Sequence, residues 1–268
     1  KWMWWSQRIG GYNALDYLVK VRGISFVEAV ETLMGKSAVM SVLTVRPKQE
    51  EKPKVLLLPE KSKTTDRIRE YLFSRGIDGA ITDECIKKGV IFESLPYHNI
   101  VFVGFDEKQK PKYAAFRATN SRRILGDCSG SDKHYSFRLA DSESKEVHLF
   151  ECAIDLLSYA TLAKLSGRDW HKENLVSLAG VYLPKEKIEE STTPAAVVKY
   201  LDGRPDIEKI HIHFDNDNAG RKATEALKAI LPKKYEIFDE PPKKGKDYND
   251  YLCKQLGIYK SKERSYER

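Results

Sequence analysis

The sequence predicts an α/β protein: a parallel sheet with flanking helices, preceded by a mixed α+β region and an N-terminal helical segment. Three observations carry this. From residue 146 onward, short apolar runs alternate with helical-period segments in the order β-α-β-α-β-α-β, as expected for parallel strands joined by crossover helices. Between residues 100 and 139 the apolar residues fall into strand-like runs separated by polar turns. Before residue 35 they keep a helical spacing.

Taken in order, residues 13–34 (NALDYLVKVRGISFVEAVETLM) read as two short helices around Arg22-Gly23, the second capped by Ser25. Arg46–Lys54 (RPKQEEKPK) holds two prolines, six charges and no apolar residue, and reads as a linker. From Pro59 to about Ser94 the pattern is helical, with Ile68, Tyr71 and Leu72 on one face, a stop at Arg75-Gly76-Ile77 and a second helix over 82–88. Ile100–Phe105, Tyr113–Arg117 and Tyr135–Leu139 read as strands, the first two joined by the turn Asp106–Lys110. The alternating part comprises strands at Val147–Phe150, Leu175–Leu178, Lys209–Phe214 and Tyr235–Phe238. Helices at Ala153–Lys164, Pro194–Leu201 and Ala219–Ile230 lie between them. The expected organisation is an N-terminal helical segment (1–45), a linker (46–58), a mixed subdomain (59–145), the parallel sheet (146–240) and a tail (241–268).

Composition narrows the function. Of the 268 residues, 41% are hydrophobic, enough for a sizeable core. No apolar run approaches the roughly 18 residues of a membrane span, and the first residues do not read as a signal peptide. The four cysteines (Cys85, Cys128, Cys152, Cys253) are scattered without a CxxC pair, which argues against a disulfide scaffold or zinc ribbon and for a reducing cytoplasm. The chain opens at Lys1 rather than Met, so a longer parent protein is expected. The net charge of +7 suits a polyanionic partner, although solubility alone also accounts for it.

The acids carry the chemistry. Ligands of an open parallel sheet bind beyond the carboxyl ends of its strands, and three acidic groups fall there. Glu151 follows the first strand as FEC, Asp215 and Asp217 follow the third as FDND, and Asp247 and Asp250 stand in KDYND after the fourth. An Asp-x-Asp turn with a neighbouring glutamate suits a hard cation such as Mg²⁺, which takes few protein oxygens and keeps water or phosphate on its other positions. The competing reading of each acid is a helix cap.

FECAIDLLS, SLAG, FDNDNAGRKA and KGKDYNDYL, in that order, resemble the Toprim domain of bacterial DNA primases and their relatives on plasmids, phages and conjugative elements. Upstream, HNIVFVGFDEKQKPKYAAFRATN and GDCSGSDKHYSF resemble the amino-terminal half of the primase core. WMWWSQRIGGYNALDYLVKVRGISFVEAV resembles the segment after a primase zinc-binding module. Two departures stand out: Cys152 occupies a position where cellular primases generally have Gly, and no Cys/His cluster precedes the helices, so no zinc is predicted in this chain.

The resemblance implies a catalytic Glu151, Mg²⁺ (Mn²⁺ as alternative) on Asp215, Asp217 and Asp247, and supporting roles for Asp155 and Asp250. It implies attack of a 3′ hydroxyl on a nucleoside triphosphate along single-stranded DNA, with Arg117, Lys133, Arg221 and Lys222 toward nucleotide or template. A helicase or relaxase would be the partner and a mobile element the setting. The rivals are a Toprim nuclease or topoisomerase, and a catalytically weak DNA-binding module for plasmid mobilisation. Among other residues, Trp2, Trp4 and Trp5 read as packing on the following helices, with base stacking as the alternative. His211 and His213 share one strand face but lack a third soft ligand nearby in sequence.

Overall fold

The computed structural model describes residues 2–4, 9–34, 55–120, 122, 124–180, 182, 184–185 and 187–258. Trp5 and the 46–54 part of the expected linker lie outside the described residues. The chain divides into two compact units, residues 1–53 and 54–268.

In the first unit, strands β1 (Trp2–Trp4) and β2 (Ile9–Gly11) pair antiparallel and precede helices α1 (Ala14–Lys20) and α2 (Phe26–Met34). The hairpin was not expected from the aromatic-rich opening. Asn13 caps α1 by accepting the Asp16 amide, and Ser25 and Glu28 form a reciprocal capping box on α2. Trp2 packs edge-on against Tyr17, ring centroids 5.4 Å apart, whereas Trp4 is 46% exposed.

The second unit opens with helices α3 (Asp66–Ser74) and α4 (Gly79–Lys87). Strands β3 (Ile91–Glu93), β4 (Ile100–Phe105), β5 (Pro111–Arg117) and β6 (Leu125–Asp127) follow as an antiparallel sheet in that order. Strand β3 lies inside the stretch expected to be helical, because three residues are too few to display a two-residue period.

The remaining elements are β7 (Arg138–Leu139), β8 (Glu146–Phe150), α5 (Ala153–Leu165), β9 (Asn174–Ser177), α6 (Ala195–Gly203), β10 (Lys209–Ile212), α7 (Asn218–Ile230), β11 (Glu236–Asp239) and α8 (Tyr248–Gln255). Strands β8 to β11 are the parallel strands expected, in the sheet order β11-β10-β8-β9-β7. The expected strand Tyr135–Leu139 shrinks to β7 and leaves the antiparallel sheet. It pairs antiparallel with β9, Leu139 opposite Leu175, so the expected division at residue 145 falls between two strands of one sheet.

Alternation along β8 sends Val147 and Leu149 into the cluster under α6 and α7, and Phe150 into the cluster under α5 and α8. The latter cluster is continuous with Ile68 and Leu72 of α3, Ile81 and Cys85 of α4, and Phe102 of β4. Helix α5 is buried without a break from Ala153 to Thr161, consistent with a helix enclosed on all sides. The four cysteines are thiols rather than disulfides, and no helix among the described residues is long and apolar enough to cross a membrane.

Candidate active site

Central strand β8 and its neighbour β10 end side by side, Leu149 opposite Ile212, and the chain beyond each carries the acids. Glu151 is 6% exposed and accepts the backbone amide of Asp215 at 3.1 Å. Burial raises its carboxyl, Asp217 adds to this, and the Asp215 amide, Lys246 and Arg221 oppose it. Asp215 is pushed up to about 8, chiefly by burial and then by the charges of Asp155, Glu151 and Asp247. Asp155, one helical turn beyond Glu151, is buried. It accepts the Cys152 thiol at 2.9 Å and the Asn249 amide at 3.3 Å, and burial followed by Asp247 raises its carboxyl.

Asp217 and Asp247 are also helix caps. Asp217 accepts the amides of Ala219 and Gly220 at the start of α7, and the Gly220 amide, with Lys246, lowers its carboxyl. Asp247 accepts the Asp250 amide at the start of α8. Asp250 accepts the Lys246 amide at 3.1 Å and the Lys254 ammonium at 2.9 Å, which ties it to the loop. Capping and site formation are thus compatible, since a cap uses one carboxylate oxygen and leaves the other.

Lys246 is the residue that sequence reasoning missed. Its ammonium lies 3.2 Å from Asp217 Oδ2 and 3.7 Å from Asp215 Oδ2, and its carbonyl accepts the Asn216 amide. Only the KGK spacing before Asp247 hinted at a cation here. The basic residues singled out from the sequence separate into distinct environments. Arg221 clamps the turn, donating to the carbonyls of Phe214 and Asp215 and to Asp239, whereas Lys222 is exposed. Arg117 lines a cavity between β5 and the parallel sheet, with Phe116, Cys152, Ser177 and Gly180. Lys133 reaches the Ala179 carbonyl at 3.1 Å, beside that cavity.

A hard divalent cation fits these residues. Every donor is a carboxylate oxygen, and the Asp215 carboxyl is raised by burial and then by neighbours of like charge, with the Lys246 ammonium already standing between Asp215 and Asp217. Mg²⁺ needs only one or two carboxylates besides water and phosphate. Among the described residues, the ligand atoms that gather in threes within 4.8 Å of one another belong elsewhere, to Glu146–His148–His211 and His148–His213–Glu240.

Gly220 sets the closeness of the site. A Cβ there would overlap the Asp215 carbonyl oxygen and stand 2.9 Å from Glu151 Oε1. Alanine in place of helical glycine normally stabilises by roughly 0.5–1 kcal/mol. Gly220→Ala is expected to do the reverse, lowering stability by about 1–3 kcal/mol through overpacking, with both acids displaced. Thermal melts of the variant check the sign.

A family model described as Toprim-like matches residues 148–252, and one for a protein of unknown function (DUF3991) matches residues 70–144. An uncharacterised Bacillus anthracis protein, pXO2-78, is 26% identical over 280 residues, covering 94% of this chain and 76% of its own. Among solved structures, the primase fragment of the bacteriophage T7 primase-helicase protein is 20% identical, with a TM-score of 0.46 over 69% of this chain and 68% of that one. The RNA polymerase domain of Mycobacterium tuberculosis primase DnaG is 13% identical, with a TM-score of 0.47 over 74% of each chain. Residues 148–252, which hold Glu151, Asp155, Asp215, Asp217, Asp247 and Asp250, are therefore a Toprim-like domain.

Proposed function

We infer that this protein is a Mg²⁺-dependent, primase-like nucleotidyltransferase that acts on single-stranded DNA in the cytoplasm, in the replication or transfer of a mobile element. The observation that carries this reading is the junction of buried Glu151 with half-buried Asp215, two acids from adjacent parallel strand ends, inside a Toprim-like domain. Glu151, its carboxyl raised by burial, is suited to take the proton of a primer 3′ hydroxyl. Asp215 and Asp217, with Asp247 behind them, would hold the cation, and Asp155 and Asp250 would fix Glu151 and the 246–247 loop. When bound, Mg²⁺ offsets charge developing on the phosphoryl and leaving oxygens. Arg117 and Lys133, beside the cavity that adjoins Cys152, would face nucleotide or template; Lys222 would meet phosphate from the surface. Arg221 serves more directly by clamping the Asp215 turn. A helicase or relaxase would supply the unwound strand.

Primer synthesis from nucleoside triphosphates on single-stranded DNA, with Mg²⁺ and with chelator, tests this. Synthesis that requires Mg²⁺ is expected. DNA affinity should fall with salt, each phosphate contact contributing about −0.7 to the log–log slope. Cleavage of DNA without synthesis would favour the nuclease reading. DNA binding with neither activity would favour the mobilisation module.

A further inference from the structure

We propose that Glu146, His148 and His211 form a second metal site, for a borderline-soft divalent ion of the Zn²⁺ class, on the α5/α8 face of the sheet and separate from the strand-end acids. The sequence presents His211 and His213 as a pair without a third ligand; the sheet supplies the missing donors from the adjacent strand. His148 and His211 are register partners in β8 and β10, their rings stacked 4.5 Å apart and 13° from parallel. Glu146 precedes His148 by two residues and so shares its face. Ligand atoms of all three lie within 4.8 Å of one another.

Hydrogen-bond accounting shows why a cation belongs here. His211 Nδ1 meets Glu240 Oε2 at 3.1 Å. A carboxylate only accepts, so Nδ1 carries a proton, and in the neutral ring Nε2 then presents its lone pair. That Nε2 is buried without a hydrogen-bond partner and faces Glu146 Oε2 at 3.5 Å, acceptor against acceptor. The other Glu146 oxygen is already held by Lys209 at 2.9 Å.

The same logic runs through His148. The Tyr248 hydroxyl donates to the Glu240 carbonyl, so toward His213 Nδ1 it accepts, and Nδ1 is the donor there. His213 Nε2 must then accept from His148 Nδ1 at 2.8 Å, which leaves His148 Nε2 bare. It faces Glu173 Oε2 at 3.6 Å, another buried atom without a partner.

Two bare imidazole nitrogens thus look onto carboxylate oxygens with no proton between them. A cation between His211 Nε2 and Glu146 Oε2, with His148 as third ligand, removes the first of these mismatches. Donors about 2.0–2.1 Å from a tetrahedral Zn²⁺ lie roughly 3.3 Å from each other, close to the 3.5 Å between His211 Nε2 and Glu146 Oε2. A carboxylate on the far nitrogen, as Glu240 provides for His211, is the usual support of a ligating histidine. Glu146 and His211 are only half-buried, which leaves a way in.

The full chain, stripped with chelator, would be titrated with Zn²⁺ in excess Mg²⁺ by calorimetry, and with Co²⁺ by visible absorption. One equivalent of Zn²⁺ is expected, with tetrahedral-type Co²⁺ bands. His211→Gln and the milder rim variant Glu146→Gln should each weaken binding at least tenfold, while Asp215→Asn leaves it unchanged. Zn²⁺ should raise the melting temperature of the parent protein and not of His211→Gln. No Zn²⁺ binding would overturn the proposal. Binding that survives both variants, or that is lost with Asp215→Asn, would overturn it as well.

Discussion

Glu151→Gln and Asp215→Asn should each lower primer synthesis by about 10²–10⁴-fold while leaving the fold intact. Each keeps shape and hydrogen-bonding capacity; the first removes the proton carrier, the second a metal ligand. Asp215→Asn should weaken Mg²⁺ binding more than Glu151→Gln does. Stability should move the other way from activity. The Asp215 carboxyl is raised from an ordinary 3.8 to about 8, so the folded state holds a proton that the unfolded chain has released. Its favourable contribution is present below pH 4 and is lost as pH climbs toward 8. Without metal, the parent protein should therefore melt at falling temperature across that window. Asp215→Asn should flatten the trend and gain about 1 kcal/mol near neutrality, or roughly 2–4 °C. Melts from pH 4 to 8, with and without Mg²⁺, measure this. Normal synthesis by both variants would overturn the catalytic assignment of these acids.

Asn249→Leu should be the most destabilising single change near the site, costing about 2–4 kcal/mol. The Asn249 side chain is 1% exposed and joins three parts of the chain. Its amide nitrogen donates to the Arg75 carbonyl at 2.9 Å and to Ser158 Oγ at 3.0 Å, and its oxygen accepts from Arg75 at 3.2 Å. Leucine fills the volume but strands these groups, each at about 1–3 kcal/mol less whatever its remaining bonds recover. A fall in melting temperature of roughly 5–15 °C is expected. Asn249→Asp should be no better, because it adds a charge beside buried Asp155. A loss under 1 kcal/mol would mean that water replaces the network.

The parallel strands and their acids were legible because a strand covered on both faces is written as an unbroken apolar run, and its end is where polarity returns. Glu151, Asp215 and Asp217 sit at such ends. What escaped was whatever depends on register or on distant loops. Lys246 reaches Asp217 across a loop of the fold, and no local pattern marks that approach. His148 becomes a neighbour of His211 only through the pairing of β8 with β10. Strand β7 carries two residues, too few to declare which sheet it joins. The resemblance sets Arg221 toward nucleotide or template, and no local pattern shows that its guanidinium lies against two carbonyls and Asp239.

The apolar cluster shared by α3, α4, β4, β7, α5 and α8 has a consequence for how such proteins change over generations. The stretches 70–144 and 148–252 match separate family models, yet neither closes its own interior. A recombination joint placed between them would strip β9 of its β7 neighbour and uncover Ala153, Leu156 and Leu157, leaving an open strand edge and a sticky helix face. Hybrids that exchange one stretch alone should aggregate, whereas hybrids that exchange both should fold.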